Sequence, residues 1–190
     1  MLAAISPGTY DLAARLGISL LRSPTFSDLE TVAARYEGYR AKMREYGHDP
    51  DALDQPFLVR TYVAPTDEEA RAETRHVVWY YHLLGSLVPG APALPSPASY
   101  EAYPDAARRL AAVGEDEVWE RGSCFGSPER VAGMLKRYLH RTGTNHIALE
   151  MRIGGLEHRK VMRSLELFAR EVMPEVRAAA GEETTWSGRR

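Results

Sequence analysis

Apolar residues recur along this chain in two alternating periods, close to two in some stretches and close to 3.6 in others. That alternation predicts strands followed by helices. Leu2–Ile5 reads as a strand, and the alanine-rich stretch Tyr10 to Leu16 as a helix closed by Gly17. Ile18–Leu21 is a short apolar stretch. Ser27-Asp28-Leu29-Glu30 has the form of a capping box, and Leu29, Val32, Ala33, Tyr36 and Met43 then mark one helical face that ends at Gly47. Phe57–Ala64, bounded by Pro56 and Pro65, is the clearest strand. Thr66-Asp67-Glu68-Glu69 opens a long helix expected to run to about Leu84.

Residues 85–104 break the pattern, with five prolines and no clear period, and read as an active-site loop or insertion. Helical signal returns at Asp105–Val113. Ser127 caps a helix with Pro128 in its first turn, and Val131, Met134, Leu135, Tyr138 and Leu139 form its buried face up to Thr142-Gly143. His146–Met151 is the last strand. A final helix carrying Val161, Leu165, Phe168 and Val172 is expected to stop at Pro174, and 182–190 form a polar tail. Strands that alternate with helices predict an α/β fold with parallel strands.

Composition narrows the function. The chain has 190 residues, 44% of them hydrophobic, and a net charge of −2, as expected of one globular domain. It has no basic stripe interleaved with aromatics, so nucleic acid is not an expected partner. No apolar run approaches the roughly 20 residues that span a bilayer, so no membrane role is expected. Cys124 is the single cysteine, which fits a reducing, cytoplasmic setting.

The candidate chemistry begins at Ser6-Pro7-Gly8-Thr9. Here a strand's end runs into a helix N-terminus that offers unpaired N–H groups and a partial positive charge. Ser6 and Thr9 add hydroxyls, so the segment reads as a phosphate site; the rival reading is that Ser6 only caps the helix. Arg60 and Tyr62 share one face of their strand. If that face points away from the helices, Arg60 is a buried cation that needs an anion; if it meets the helix layer, Arg60 snorkels at an edge. The six histidines show no metal-ligand spacing, and Cys124 reads as a buried, inert thiol. Tyr100, Tyr103 and Trp119 flank the irregular segment and stand as packing anchors or as cover for a planar ligand.

Four stretches together resemble the bacterial luciferase-like, flavin-dependent monooxygenases. They are Ala4–Thr9 through Gly17, Tyr62–Ala70, Phe125–Glu129 through Thr142-Gly143, and Arg163–Ala169 through Pro174. The resemblance runs from residue 1 to about 177. It implies a (β/α)8 TIM barrel, a fold of about 250 residues. This chain is expected to supply about the last three strand–helix units, with residues 1–181 as one domain. On that view it is a truncated, split or mis-started product. The resemblance implies that Ser6, Gly8 and Thr9 hold the phosphate of FMN, with deazaflavin as the less favoured cofactor. It also implies oxygen and a small organic substrate as reactants, and a flavin reductase as supplier of reduced FMN. The family often has a polar residue before that serine, where this chain has Ile5. It singles out no catalytic residue here. Two rival readings stand beside it: a non-catalytic partial barrel that binds flavin phosphate or pairs with another subunit, and a phosphate-binding module on a different fold.

Overall fold

The structure is a computed structural model that describes residues 1–3, 6–25, 27–88 and 103–181. Strand and helix alternate as expected. Strand β1 (Leu2–Ala3) leads to helix α1 (Pro7–Leu16), β2 (Leu20–Leu21) to α2 (Leu29–Glu45), and β3 (Pro56–Val63) to α3 (Asp67–Thr74). Helices α4 (Val78–Leu87), α5 (Tyr103–Ala112) and the single turn α6 (Glu115–Glu117) precede β4 (Cys124–Gly126). Then come α7 (Pro128–Thr142), β5 (His146–Glu150), α8 (His158–Leu167) and α9 (Met173–Ala179).

Every strand pairing is parallel: β1 with β2, and β3 with both β4 and β5. A parallel bridge between Arg22 and Phe57 joins the two groups. The row is therefore β1, β2, β3, β5. The amides of Leu58 and Ala64 donate to Arg22 O and Gly126 O. Amides six residues apart on a strand face the same edge, so short β4 continues that edge where β2 ends.

Sequence reading expected three adjacent strands. The strand it left as an apolar stretch, β2, stands between β1 and β3, and β4 is a further addition. Strands of two or three residues carry too little periodicity to be recognised.

The two faces of the sheet differ. Leu20, Arg22, Phe57 and Val59 are buried under helices α1, α2 and α7, in clusters that include Tyr36, Leu135 and Tyr138. Their neighbours Ala3, Leu21, Leu58 and Ala148 face the other way; Ala3 is exposed and the rest are half-buried. Tyr62, further along β3, packs into a third cluster with Tyr81, Leu110 and Trp119, built by the helices that follow β3.

Local chemistry explains most helix boundaries. Thr66 and Ser127 accept amides from Glu69 and Arg130, as the capping pattern requires. Gly17 and Gly143 end their helices at φ of 62° and 56°. Three expectations are corrected. Asp28, not Ser27, caps α2, because its carboxylate reaches Thr31 N at 2.8 Å. The helix after Thr66 tightens to a 3-10 turn at Arg75–Val77 before α4 resumes. The helical course does not stop at Pro174: a π-helical turn at Phe168–Val172 follows α8, and Pro174 then takes the first turn of α9, where proline is tolerated. Of the irregular segment 85–104, residues 85–87 end α4 and 103–104 start α5, while 89–102, Tyr100 among them, lie outside the described residues.

Candidate phosphate site at the end of the parallel sheet

Because all strands run one way, the segments leaving their C-terminal ends lie at one end of the sheet. Ser6 follows β1, Ser23 to Thr25 follow β2, and Met151 follows β5. Ligand sites of parallel α/β folds gather at that end.

Ser6 is the N-cap of α1 in extended backbone (φ −85°, ψ 147°), yet its side chain caps no amide. Its Oγ lies 2.9 Å from Thr9 Oγ1 instead. One of the two hydroxyl protons is spent inside that pair, which leaves the other to donate elsewhere. Thr9 N donates to Ser6 O at 3.1 Å, and Pro7 has no N–H. The Gly8 amide and one hydroxyl are thus the donors on hand. Gly8 is exposed, and nothing stands within 4 Å of where its Cβ would be. Half-buried Ser6 and Thr9 and exposed Gly8 therefore form one donor group at a helix N-terminus, which suits an anion better than a neutral ligand.

Next to this group, Ala3, Tyr10, Ser23, Thr25, Arg35 and Arg60 contribute to a cavity of about 130 Å³. Arg60 is only 7% exposed. It answers the choice left by the sequence: its face is the one opposite α2 and α7, and an anion meets it. Its Nε lies 3.2 Å from Glu150 Oε2, although the N–H is not aimed well enough to count as a hydrogen bond. Its Nη1 donates to Thr25 Oγ1. Its guanidinium carbon lies 5.2 Å from the ring centres of both Tyr80 and Tyr81. Burial works against its charge, but Tyr81, Glu150 and Tyr80 outweigh that and raise its pKa. Tyr81 in turn shares a 2.6 Å hydrogen bond with Ser123. Glu150 and Thr25 were missed by sequence reasoning, since strand register alone sets Glu150 opposite Arg60 and the segment after β2 brings Thr25 to it.

The other candidates resolve as structure. Trp119 is buried, with the Arg130 guanidinium 4.8 Å from its ring, so it anchors packing. Tyr103 packs against the same cluster. The Cys124 thiol is fully buried, points at Val131 O, and burial raises its pKa. No group of three or more metal-ligating side chains occurs among the described residues. No helix among them is long and apolar enough to cross a membrane.

A family model described as luciferase-like monooxygenase matches residues 1–146. No curated protein matches the chain. Among solved structures, the chain is similar to monooxygenase RslO1 from Streptomyces bottropensis, at 21% identity and a TM-score of 0.63, covering 91% of this chain and 46% of that one. It is similar to the oxygenating constituent of 3,6-diketocamphane monooxygenase from Pseudomonas putida in complex with FMN, at 19% identity and 0.63, covering 92% and 47%. It is also similar to an F420-dependent secondary alcohol dehydrogenase, at 19% and 0.60, covering 92% and 48%. At these identities the likeness is one of fold. The chain spans about half the length of these structures.

Proposed function

The chain belongs to the luciferase-like monooxygenase family, and on that premise we propose that it is the flavin-phosphate-holding part of a flavin-dependent monooxygenase. The carrying observation is the Ser6–Thr9 pair, whose hydroxyls stand 2.9 Å apart at the start of α1 and are not used to cap it. On this reading the Gly8 amide, the one hydroxyl of the Ser6–Thr9 pair left free to donate and the α1 dipole bind the phosphate of FMN. The sheet is the second half of a (β/α)8 barrel, and its open face looks toward the flavin ring. A bound reduced flavin supplies the electrons with which oxygen oxidises an organic substrate. Arg60, pinned by Glu150 and Thr25, presents a fixed positive charge beside the ring's site.

The cavity beside the pair, about 130 Å³, is smaller than the roughly 300–1,000 Å³ of ordinary ligand pockets. The chain by itself therefore holds the phosphate end and does not enclose the ring, and robust turnover by one isolated chain is not expected. Both FMN and F420 occur among the similar structures; FMN is the first choice because the Ser-x-x-Thr element of the resemblance is a flavin-phosphate feature.

The test is a fluorescence titration of the 190-residue chain with FMN, riboflavin and F420. FMN should bind more tightly than riboflavin, which lacks the phosphate. Ser6→Ala with Thr9→Ala should weaken FMN by about ten- to a hundredfold per lost contact and leave riboflavin nearly unchanged. Equal losses for both ligands would reduce the pair to a helix cap, and F420 binding in place of FMN would move the cofactor to the deazaflavin.

A further inference from the structure

The cavity beside the phosphate site is lined by two unlike sets of residues. One set is Arg35 and Arg60 with the hydroxyls of Ser23 and Thr25, and none of the described residues lining it is acidic. The other set is apolar: Ala3, Leu21 and Leu58, on the sheet face away from α1, α2 and α7.

The polar set is rich in donors. A guanidinium carries five N–H groups and no acceptor, so a ligand group beside Arg35 and Arg60 must accept. Arg60 is buried, and its Nε–H makes no hydrogen bond. Half-buried Arg35 comes from α2, where its Nη1 donates to Ser27 Oγ at 3.3 Å. The Ser23 and Thr25 hydroxyls lie 2.7 Å apart, which spends one of their two protons and leaves the other to donate. Thr25 Oγ1 is held by Arg60 Nη1, and Ser23 Oγ by the amide of Thr25 at 3.3 Å. Two arginines and a hydroxyl pair, fixed in place and partly shielded from water, favour an oxyanion over a neutral acceptor.

We infer that this cavity seats the charged end of the organic substrate, and that the substrate is a small organic acid. Its carboxylate lies against Arg35 and Arg60, and its hydrocarbon part lies over Leu21 and Leu58. The apolar residues are what point to an organic anion and away from a free inorganic one, which gains nothing from them. The volume, about 130 Å³, equals that of roughly four waters at ~30 Å³ each. It admits a carboxylate and the first carbons, and the rest of the ligand runs along the half-buried sheet face. Ser6, Gly8 and Thr9 do not line the cavity, whereas Tyr10, the next residue of α1, does. The two anion seats are thus separate neighbours at one end of the sheet. The word substrate rests on the monooxygenase reading above; the acid site itself is tested without flavin, so the two fail separately.

Isothermal titration calorimetry of the flavin-free chain at fixed ionic strength compares cyclohexanecarboxylate, cyclohexylmethanol, cyclohexylmethylammonium and inorganic sulfate. The carboxylate should bind about tenfold or more tightly than each of the others. Arg35→Met should weaken it about ten- to a hundredfold, as for a lost contact to a charged group, and Ser23→Ala about three- to tenfold. Both positions are half-buried, and circular dichroism should show both variants folded. FMN affinity should be the same in both variants, and saturating FMN should leave the carboxylate affinity unchanged. A chain that binds the carboxylate in this way but not FMN supports the acid site and fails the flavin reading alone. Four results overturn the inference. Sulfate that binds as tightly as the carboxylate makes the cavity a seat for a free inorganic anion. Equal affinity for the carboxylate and the alcohol shows that the arginines do not select charge. Displacement of the carboxylate by FMN assigns the cavity to the FMN phosphate. Unchanged carboxylate affinity in both variants moves the binding to another surface.

Discussion

The Arg22 guanidinium carbon lies 3.5 Å from the centre of the Tyr36 ring, and both side chains are buried. Arg22 extends the edge of β2 onto β3, and its Nη groups donate to Gln55 O at 2.9 Å and Thr142 O at 3.4 Å. Among the described residues no carboxylate pairs with it. Burial lowers its pKa to about 10, against the opposing pull of Tyr36, Tyr10 and Tyr39. The aromatic face and two carbonyls thus take the place of a counter-ion.

Arg22→Ala should therefore cost about 3–5 kcal/mol, mainly from the cavity and from the donor lost to the Thr142 carbonyl, since Gln55 O still accepts from the Thr144 hydroxyl. Arg22→Met keeps most of the volume and removes the buried charge, so about 1–2 kcal/mol is expected. Urea unfolding of the three proteins measures the order. Equal losses for Ala and Met would mean that the hydrogen bonds, not the packing, carry the site.

Ser164 joins α8 to the sheet. Its Oγ accepts the amide of Val63 at 2.7 Å, and Ser164 is fully buried. The reason lies in strand length: β5 pairs with β3 only as far as Arg60 opposite Glu150, so the next amide facing that edge needs another acceptor. Ser164→Ala should leave it unsatisfied and cost about 1–3 kcal/mol. Hydrogen exchange at Val63 should accelerate while that at Val59 keeps pace with global stability. No change at Val63 would show that the hydroxyl is dispensable.

The start of α2 should be sensitive to acid. Hydrogen bonds from Thr31, backbone first and then side chain, lower the Asp28 pKa below 3.8. A depressed carboxylate stabilises the folded state above its unfolded pKa, and that stability is lost as pH falls through the folded value. Asp28→Ala should cost about 1 kcal/mol at pH 7, as for other N-caps. The difference between wild type and variant should shrink below pH 3.8. A difference that stays constant from neutral to acid pH would show that the charge of Asp28 is not what caps the helix.

Much of this molecule was legible in order along the chain. The capping residues Thr66 and Ser127, the stops at Gly17 and Gly143, and the long strand between Pro56 and Ala64 follow from local sterics and hydrogen bonding, which a short window of sequence contains. So does the sharing of one strand face by Arg60 and Tyr62, because the period of a strand is fixed. Tertiary structure decided the rest. Strands β2 and β4 are too short to show a period and are defined by the strands they pair with, β2 by β1 and β4 by β3. The side to which Arg60 points, its partners Glu150 and Thr25, and the burial of Arg22 over Tyr36 depend on register and on which face the helices cover. Ser6 and Thr9 were visible as a helix start, but their mutual hydrogen bond in place of a side-chain cap is a matter of rotamers. Local interactions are written in neighbouring residues, whereas pairing between distant strands is selected by the packing of the whole chain.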